Sequence, residues 1–198
     1  MTEILDKAKQ WLSPTFDTET QEEITQLITS NAPDLADRFY KDMEFGTGGM
    51  RGIMGAGTNR VNKYTLGRAT QGLSNYLLEN VQKEQLKVVI AYDCRHNSKK
   101  FAKIVANVLS ANNIKVFLFE DLRATPELSF AVRHLDCDAG IVLTASHNPS
   151  EYNGYKVYWA DGGQIVPPHD GGIINNVNAL DFSEINFNAN DALIEIIG

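Results

Sequence analysis

The sequence predicts an α/β protein of three-layer α/β/α type: a mostly parallel mixed sheet with one antiparallel edge strand, plus an amino-terminal helical arm. Three observations predict it. Between residues 86 and 146, short Val- and Ile-rich runs alternate with helix-length segments as strand, helix, strand, helix, strand. Connections of that kind are right-handed crossovers, and they build a largely parallel sheet covered by helices. A further run, Tyr155 to Tyr158, follows the last of these strands after Asn153-Gly154, a dipeptide favoured in tight hairpins, so it should return antiparallel. Finally, the first 44 residues carry apolar side chains at helical spacing.

Taken in order, Ile4, Leu5, Ala8, Trp11 and Leu12 mark an amphipathic helix that Pro14 ends. Thr18 followed by Gln21 is a capping-box pattern for a helix with Ile24, Leu27 and Ile28 on its apolar face. Pro33 begins a third short helix carrying Leu35, Phe39 and Met43. This arm, 1–44, shows no chemistry and is assigned to packing. The α/β body is placed at 45–180. It opens with six glycines between Phe45 and Gly57, a loop whose amides could face a phosphate or which could be a plain flexible hairpin. Arg51 within it could grip a phosphate bidentately, but no Lys-Ser/Thr follows as a Walker loop requires.

A long helix follows along Leu66, Leu73, Leu77 and Val81, then a strand from Leu86 to Tyr92. Ser98 is placed to cap the helix carrying Phe101 to Leu109. Lys115 to Phe119 is the second strand, and Thr125-Pro126 starts the helix through Leu135. The third strand, Gly140 to Leu143, runs into Thr144-Ala145-Ser146-His147-Asn148-Pro149. After the return strand come a turn at Asp161-Gly162-Gly163, His169 as a loop or cap residue, and a helix around Ile173, Ile174 and Val177. Residues 181–198, Asn-rich from Asn186 to Asn190, read as a linker toward a further piece.

The bulk properties bound the function. A chain of 198 residues, 43% hydrophobic and 22% charged, reads as a soluble globular protein of one or at most two domains. Eighteen basic against 25 acidic residues give a net charge of −7, which argues against broad nucleic-acid or anionic-membrane partners. No secretory signal or membrane-length apolar run is evident, so the expected location is the cytoplasm. Cys94 and Cys137 are read as reduced packing residues. The turn after the first parallel strand, Asp93-Cys94-Arg95-His96-Asn97-Ser98, has no glycine, which counts against a dinucleotide site. Asp93 and Arg95 are assigned to ordering their own loop rather than to substrate.

The third parallel strand delivers Ser146 and His147 to the sheet edge, where ligands of open α/β sheets bind, and Asn148-Pro149 forces a turn there. A serine hydrolase is disfavoured: neighbours on an extended segment point apart, and there is no Gly-x-Ser-x-Gly elbow. The hexapeptide resembles the phosphoserine loop of the α-D-phosphohexomutases, the phosphoglucomutase and phosphomannomutase family. Gly46-Thr47-Gly48-Gly49-Met50-Arg51-Gly52 and Asn153-Gly154-Tyr155-Lys156-Val157-Tyr158 match in the expected order and spacing, and the resemblance runs from Phe45 to Ile174.

The resemblance implies that Ser146 carries a phosphate between turnovers and passes it to a sugar monophosphate through a bisphosphate intermediate. It implies Ser146, His147, Lys156 and Arg51 as catalytic residues, with His147 and Lys156 left open as the base. Thr47, Gly48, Arg51, Asn148 and Lys156 would bind substrate. It further implies Mg²⁺ held through the phosphate on Ser146, with its other ligands in a later domain, and a sugar 1,6-bisphosphate as activator. The implied partners are a phosphorylated sugar and the remaining domains of a longer, four-domain mutase, without which this piece should be inactive. Glucose phosphate is the first-choice substrate, with mannose phosphate and pentose phosphates behind it. A phosphopentomutase of the same family and a non-catalytic phosphosugar-binding module are the alternatives.

Overall fold

The computed structural model describes residues 2–198. The arm comprises α1 (Thr2–Gln10), α2 (Thr18–Thr29) and α3 (Leu35–Phe39). The body follows as β1 (Gly49–Ile53), α4 (Lys63–Asn80), β2 (Lys87–Tyr92), α5 (Ser98–Ala111), β3 (Lys115–Phe119), α6 (Thr125–His134), β4 (Ala139–Leu143), β5 (Tyr152–Trp159), α7 (His169–Asn178) and β6 (Ile194–Ile197). The six strands form one sheet in the order β1-β5-β4-β2-β3-β6. Strands β4, β2, β3 and β6 are mutually parallel, while β5 runs antiparallel to both β4 and β1.

Alternation along the strands divides the core. Val88, Ile90, Ile141, Leu143, Tyr155 and Val157 face the layer formed by α4, α5 and α7, where most of the buried apolar side chains lie. Val89, Ala91 and Val142 face the other side, where α6 supplies Leu128, Ala131 and Val132. The fold is therefore the expected three-layer arrangement. Its antiparallel strand, however, is second from the edge and not at it. β1, read from the sequence as part of a glycine loop, pairs outside β5 from Gly49↔Lys156 to Ile53↔Tyr152.

The structure departs from the local signals at several points, for physical reasons. Helix α2 is capped by Asp17, whose carboxylate accepts from Thr20 N, and not by Thr18. Ser98 is the first residue of α5; its hydroxyl reaches back to Asp93 Oδ1 at 2.9 Å instead of capping the helix. Asn153-Gly154 is not a turn but lies inside β5, because the Asn153 side chain has partners of its own. Residues 181–198 are not a plain linker. Two 3-10 turns lead into β6, which extends the sheet by parallel pairing from Val116↔Ile194 to Phe119↔Ile197.

The arm packs as a separate aromatic cluster of Trp11, Phe16, Phe39 and Tyr64, with the Trp11 and Phe16 rings stacked at 4.4 Å. It is tied to the start of α4: Tyr64 Oη accepts Asp17 N–H at 2.6 Å, and Lys63 Nζ lies 2.9 Å from Asp17 Oδ2. Among the described residues, no helix is long and apolar enough to cross a membrane.

Candidate active site

The site lies at the carboxyl ends of β2 and β4. Strand β4 is buried throughout, and its last partner across the sheet is Tyr155. Thr144 and Ala145 continue the buried path, and the chain then emerges with Ser146 and His147 exposed. Ser146 has φ of 55°, a left-handed conformation that costs a non-glycine residue free energy and persists only when its surroundings impose it. Thr144 Oγ1 accepts the Ser146 N–H at 2.9 Å, and Ala145 O accepts the Asn148 N–H at 3.1 Å. This backbone turns the Ser146 hydroxyl to the same side as the next residue, so Oγ lies 3.5 Å from His147 Nδ1. The expectation that the two side chains point apart is thus corrected: it assumed an extended segment. At 3.5 Å the pair is beyond good O–H···N geometry, so the hydroxyl remains available to a ligand.

The other residues singled out from the sequence fall into two groups. Arg51, opposite Gly154, and Lys156, opposite Val142, project from the α6 side of the sheet, where Arg51 is exposed and Lys156 half-buried. Because Thr144 N–H bonds Gly154 O at 3.1 Å, Arg51 is level with the residue two before Ser146. Gly154 is needed here, since a Cβ would stand 2.7 Å from Thr144 O and 2.8 Å from Met50 O. Thr47 and Gly48 lie elsewhere. They form a tight turn closed by Gly46 and Gly49 at the start of β1, whereas the Ser146 loop leaves the end of β4, a strand that runs the same way. Gly48 O accepts Val157 N–H at 3.0 Å, and Gly49 sits so close to Tyr155 O, at φ of 135°, that no side chain fits. This segment is thus a strand with its entry turn, in which Gly49 serves close strand packing.

Beneath the Ser146 loop lies a residue that sequence reasoning assigns to its own loop alone. Arg95, with its side chain 13% exposed, donates from Nη1 to Pro149 O (2.8 Å) and Tyr152 O (3.1 Å). From Nη2 it donates to Ser146 O (2.7 Å) and Asn148 O (2.6 Å). Its partner Asp93 lies 3.6 Å from Nε and accepts Arg95 N–H at 3.0 Å, so the expected local ordering is present as well. Asp93 Oδ1 also accepts from Ser98 Oγ, which accepts from Asn153 Nδ2 at 3.0 Å. Ser98 and Asn153 are fully buried. The glycine-free turn after β2 is the available signal, but its partners are more than 50 positions away.

Among the described residues, no group of three His, Cys, Asp or Glu side chains is placed to hold a metal ion. Asn148 Oδ1, buried and without a hydrogen-bond partner, is the orphaned acceptor in the loop.

These features define an α/β/α domain that presents an exposed serine at the carboxyl end of a central strand, on a loop clamped from below. The model of the phosphoglucomutase/phosphomannomutase α/β/α domain I matches residues 42–184. The chain is 44% identical over 158 residues to a phosphoglucomutase of Staphylococcus haemolyticus, covering 79% of this chain and 28% of that protein. It is 42% identical over 172 residues to a phosphopentomutase of Mus musculus, covering 83% and 28%. A solved structure from Thermus thermophilus, assigned as a phosphomannomutase, superposes with a TM-score of 0.65 at 32% identity, covering 79% of this chain and 33% of that one. The chain belongs to the phosphoglucomutase/phosphomannomutase family, as its domain I. It spans 28% of the length of the curated relatives quoted.

Proposed function

We propose that this chain is the phosphoserine-bearing domain of a sugar phosphomutase that interconverts hexose 1- and 6-phosphates. The observation that carries the proposal is Ser146 itself: an exposed hydroxyl held in a left-handed backbone at the end of β4, with Arg51 and Lys156 on one side of the adjoining strands. In this reading the phosphoryl group leaves Ser146 Oγ for a free sugar hydroxyl; the proton of that hydroxyl passes to a base, and Ser146 Oγ takes up a proton as its bond to phosphorus breaks. The bisphosphate turns around and returns its other phosphoryl group to Ser146 Oγ.

His147, whose Nδ1 is within 3.5 Å of Oγ, and Lys156 are the two candidate bases. Phosphoserine brings about −1.5 to −2 charge, which a second phosphate would oppose unless cations intervene. Arg51 and Lys156 supply two. Thr47 and Gly48 would meet only a ligand that extends along the open face of β1 and β5, and Asn148 would contact it from the loop. A phosphate oxygen on Ser146 would be a ligand of Mg²⁺, and the cation would supply neutralisation of charge on the transferring group. The described side chains do not make a metal site by themselves.

The chain alone is proposed to be inactive, with the rest of the substrate site, and a sugar 1,6-bisphosphate activator, belonging to the longer protein. Glucose phosphate is the preferred substrate. Pentose phosphate is the alternative, favoured by the name of the mouse relative. The test is to purify the full-length protein carrying this chain and map phosphate by peptide mass spectrometry. One phosphoryl group on Ser146, exchanged during turnover of glucose phosphate and absent from Ser146→Ala, is expected. Undiminished turnover by Ser146→Ala would sink the proposal and favour a binding module or another nucleophile.

A further inference from the structure

We propose that Arg95 is a positioning residue for phosphoryl transfer: its single guanidinium, bound to four carbonyls, sets the conformation from which Ser146 Oγ reacts. The inference rests on the phosphoserine reading above.

The geometry is specific. Ser146 O, Asn148 O, Pro149 O and Tyr152 O converge on Nη1 and Nη2 at 2.6–3.1 Å, so the clamp spans the whole loop between β4 and β5. A planar fork with fixed donor directions can bind four oxygens at once, whereas an ammonium on a flexible stem presents three donors from one point. The strained φ of Ser146 persists only under restraint, and the Arg95 clamp adds to the two local hydrogen bonds, Ser146 N–H to Thr144 Oγ1 and Asn148 N–H to Ala145 O. The clamp is anchored in turn. Asp93 holds the Arg95 amide and Ser98 Oγ, and Asn153 joins Ser98 and His96 O to β5. The contacts also pair four carbonyl oxygens with a cation, so they no longer present uncompensated partial negative charge beside a dianionic phosphate. Arg95 touches the backbone of the nucleophile and not the reacting oxygen, so its effect is on orientation.

The experiment compares Arg95→Gln and Arg95→Lys with wild type in the full-length protein, by hydrogen exchange and by steady-state kinetics with glucose 1-phosphate. In Arg95→Gln, amides in 146–152 should exchange about tenfold faster or more, while those of β2 and β4 are unchanged. The kcat should fall roughly 100-fold with KM nearly unchanged, as expected for a misplaced nucleophile and not for lost substrate contacts. Arg95→Lys should recover part of both effects, and it carries the test if Arg95→Gln does not fold. Unchanged exchange in 146–152 would overturn the proposal, as would a loosened loop with wild-type kcat or a loss confined to KM. A wild-type protein without phosphate on Ser146 would remove the premise and overturn it too. In that case the exchange data still report the clamp, so the two failures are distinguishable.

Discussion

Replacing Asn153 by alanine tests the frame under the site without touching any residue assigned to chemistry. Asn153 is fully buried in β5. Its amide donates to His96 O and Ser98 Oγ, each at 3.0 Å, and its Oδ1 accepts the Gly154 N–H at 2.7 Å. Three hydrogen bonds at about 1 kcal/mol each are lost, and the buried Gly154 N–H is left without its acceptor at a further cost of about 1–3 kcal/mol. The expected loss is about 4–6 kcal/mol, a large share of the roughly 5–15 kcal/mol by which domains are stable. For a chain of this size that lowers the melting temperature by about 10–20 °C. Urea and thermal unfolding followed by circular dichroism measure it. Asn153→Asp retains an oxygen for Gly154 but loses both donors, so it should fall short of full recovery. A loss below about 1 kcal/mol for Asn153→Ala would show that the network is not under load and would refute the reasoning.

Other outcomes follow from the same structure. Gly154→Ala should lose about 1–3 kcal/mol, because its Cβ meets Thr144 O and Met50 O, whereas Gly171→Ala, inside α7 with open space around it, should gain about 0.4–1 kcal/mol in the same melts. Burial opposes the charge on Asp17, but the bonds from Lys63 and Thr20 outweigh it and bring the carboxyl from 3.8 down to about 2. Since the folded value is the lower one, this tie to the arm is fully present above about pH 4 and is lost as pH falls from 3.8 through 2. Trp11 fluorescence should report that step, and Asp17→Asn should abolish it. Burial pushes the Cys137 thiol up to about 12, and Cys94 is exposed, so iodoacetamide should modify Cys94 alone in the native chain and both cysteines in denaturant, as read by mass.

The parts of this fold that can be read from the sequence are those written in local pattern. The parallel strands β2, β3 and β4 and their crossover helices announce themselves by period and length, and β4 points at Ser146. What local pattern misses depends on partners distant along the chain. Ile194–Ile197 is only four residues long and follows Asn-rich sequence, so nothing local shows that it pairs with β3, nearly 80 positions earlier. Asn153-Gly154 carries a turn signature, but the Asn side chain is committed to Ser98 and His96, more than 50 positions away, and the backbone stays extended. Arg95 is legible as a loop-ordering residue, yet the loop it orders most strongly is that of Ser146, 51 positions on. The glycines before β1 leave a phosphate-facing loop and a plain hairpin both open, because glycine content does not distinguish an exposed cradle from close strand packing. Gly49 against Tyr155 O is the latter.

The reversal of β5 sets how the Ser146 loop and the cationic side chains of β1 and β5 are arranged on adjoining strands. A parallel successor to β4 would need a crossover of a dozen or more residues and would begin at the far end of the sheet. By turning back within 144–151, the chain places the amino end of β5 beside the Ser146 loop, so that Tyr152 O and Asn153 become part of its support. The same reversal makes β5 antiparallel to β1 as well, and this register sets Arg51 opposite Gly154 and Gly49 opposite Lys156 on one face. Helix α6 packs against β2, β4 and, more lightly, β5, and Arg51 on β1 stays exposed. Covering that face of β1 with a second helix would bury Arg51, which no side chain of β5 could neutralise at Gly154. The exposed Arg51 is therefore available to the phosphorylated ligand that the proposed function assigns to this face.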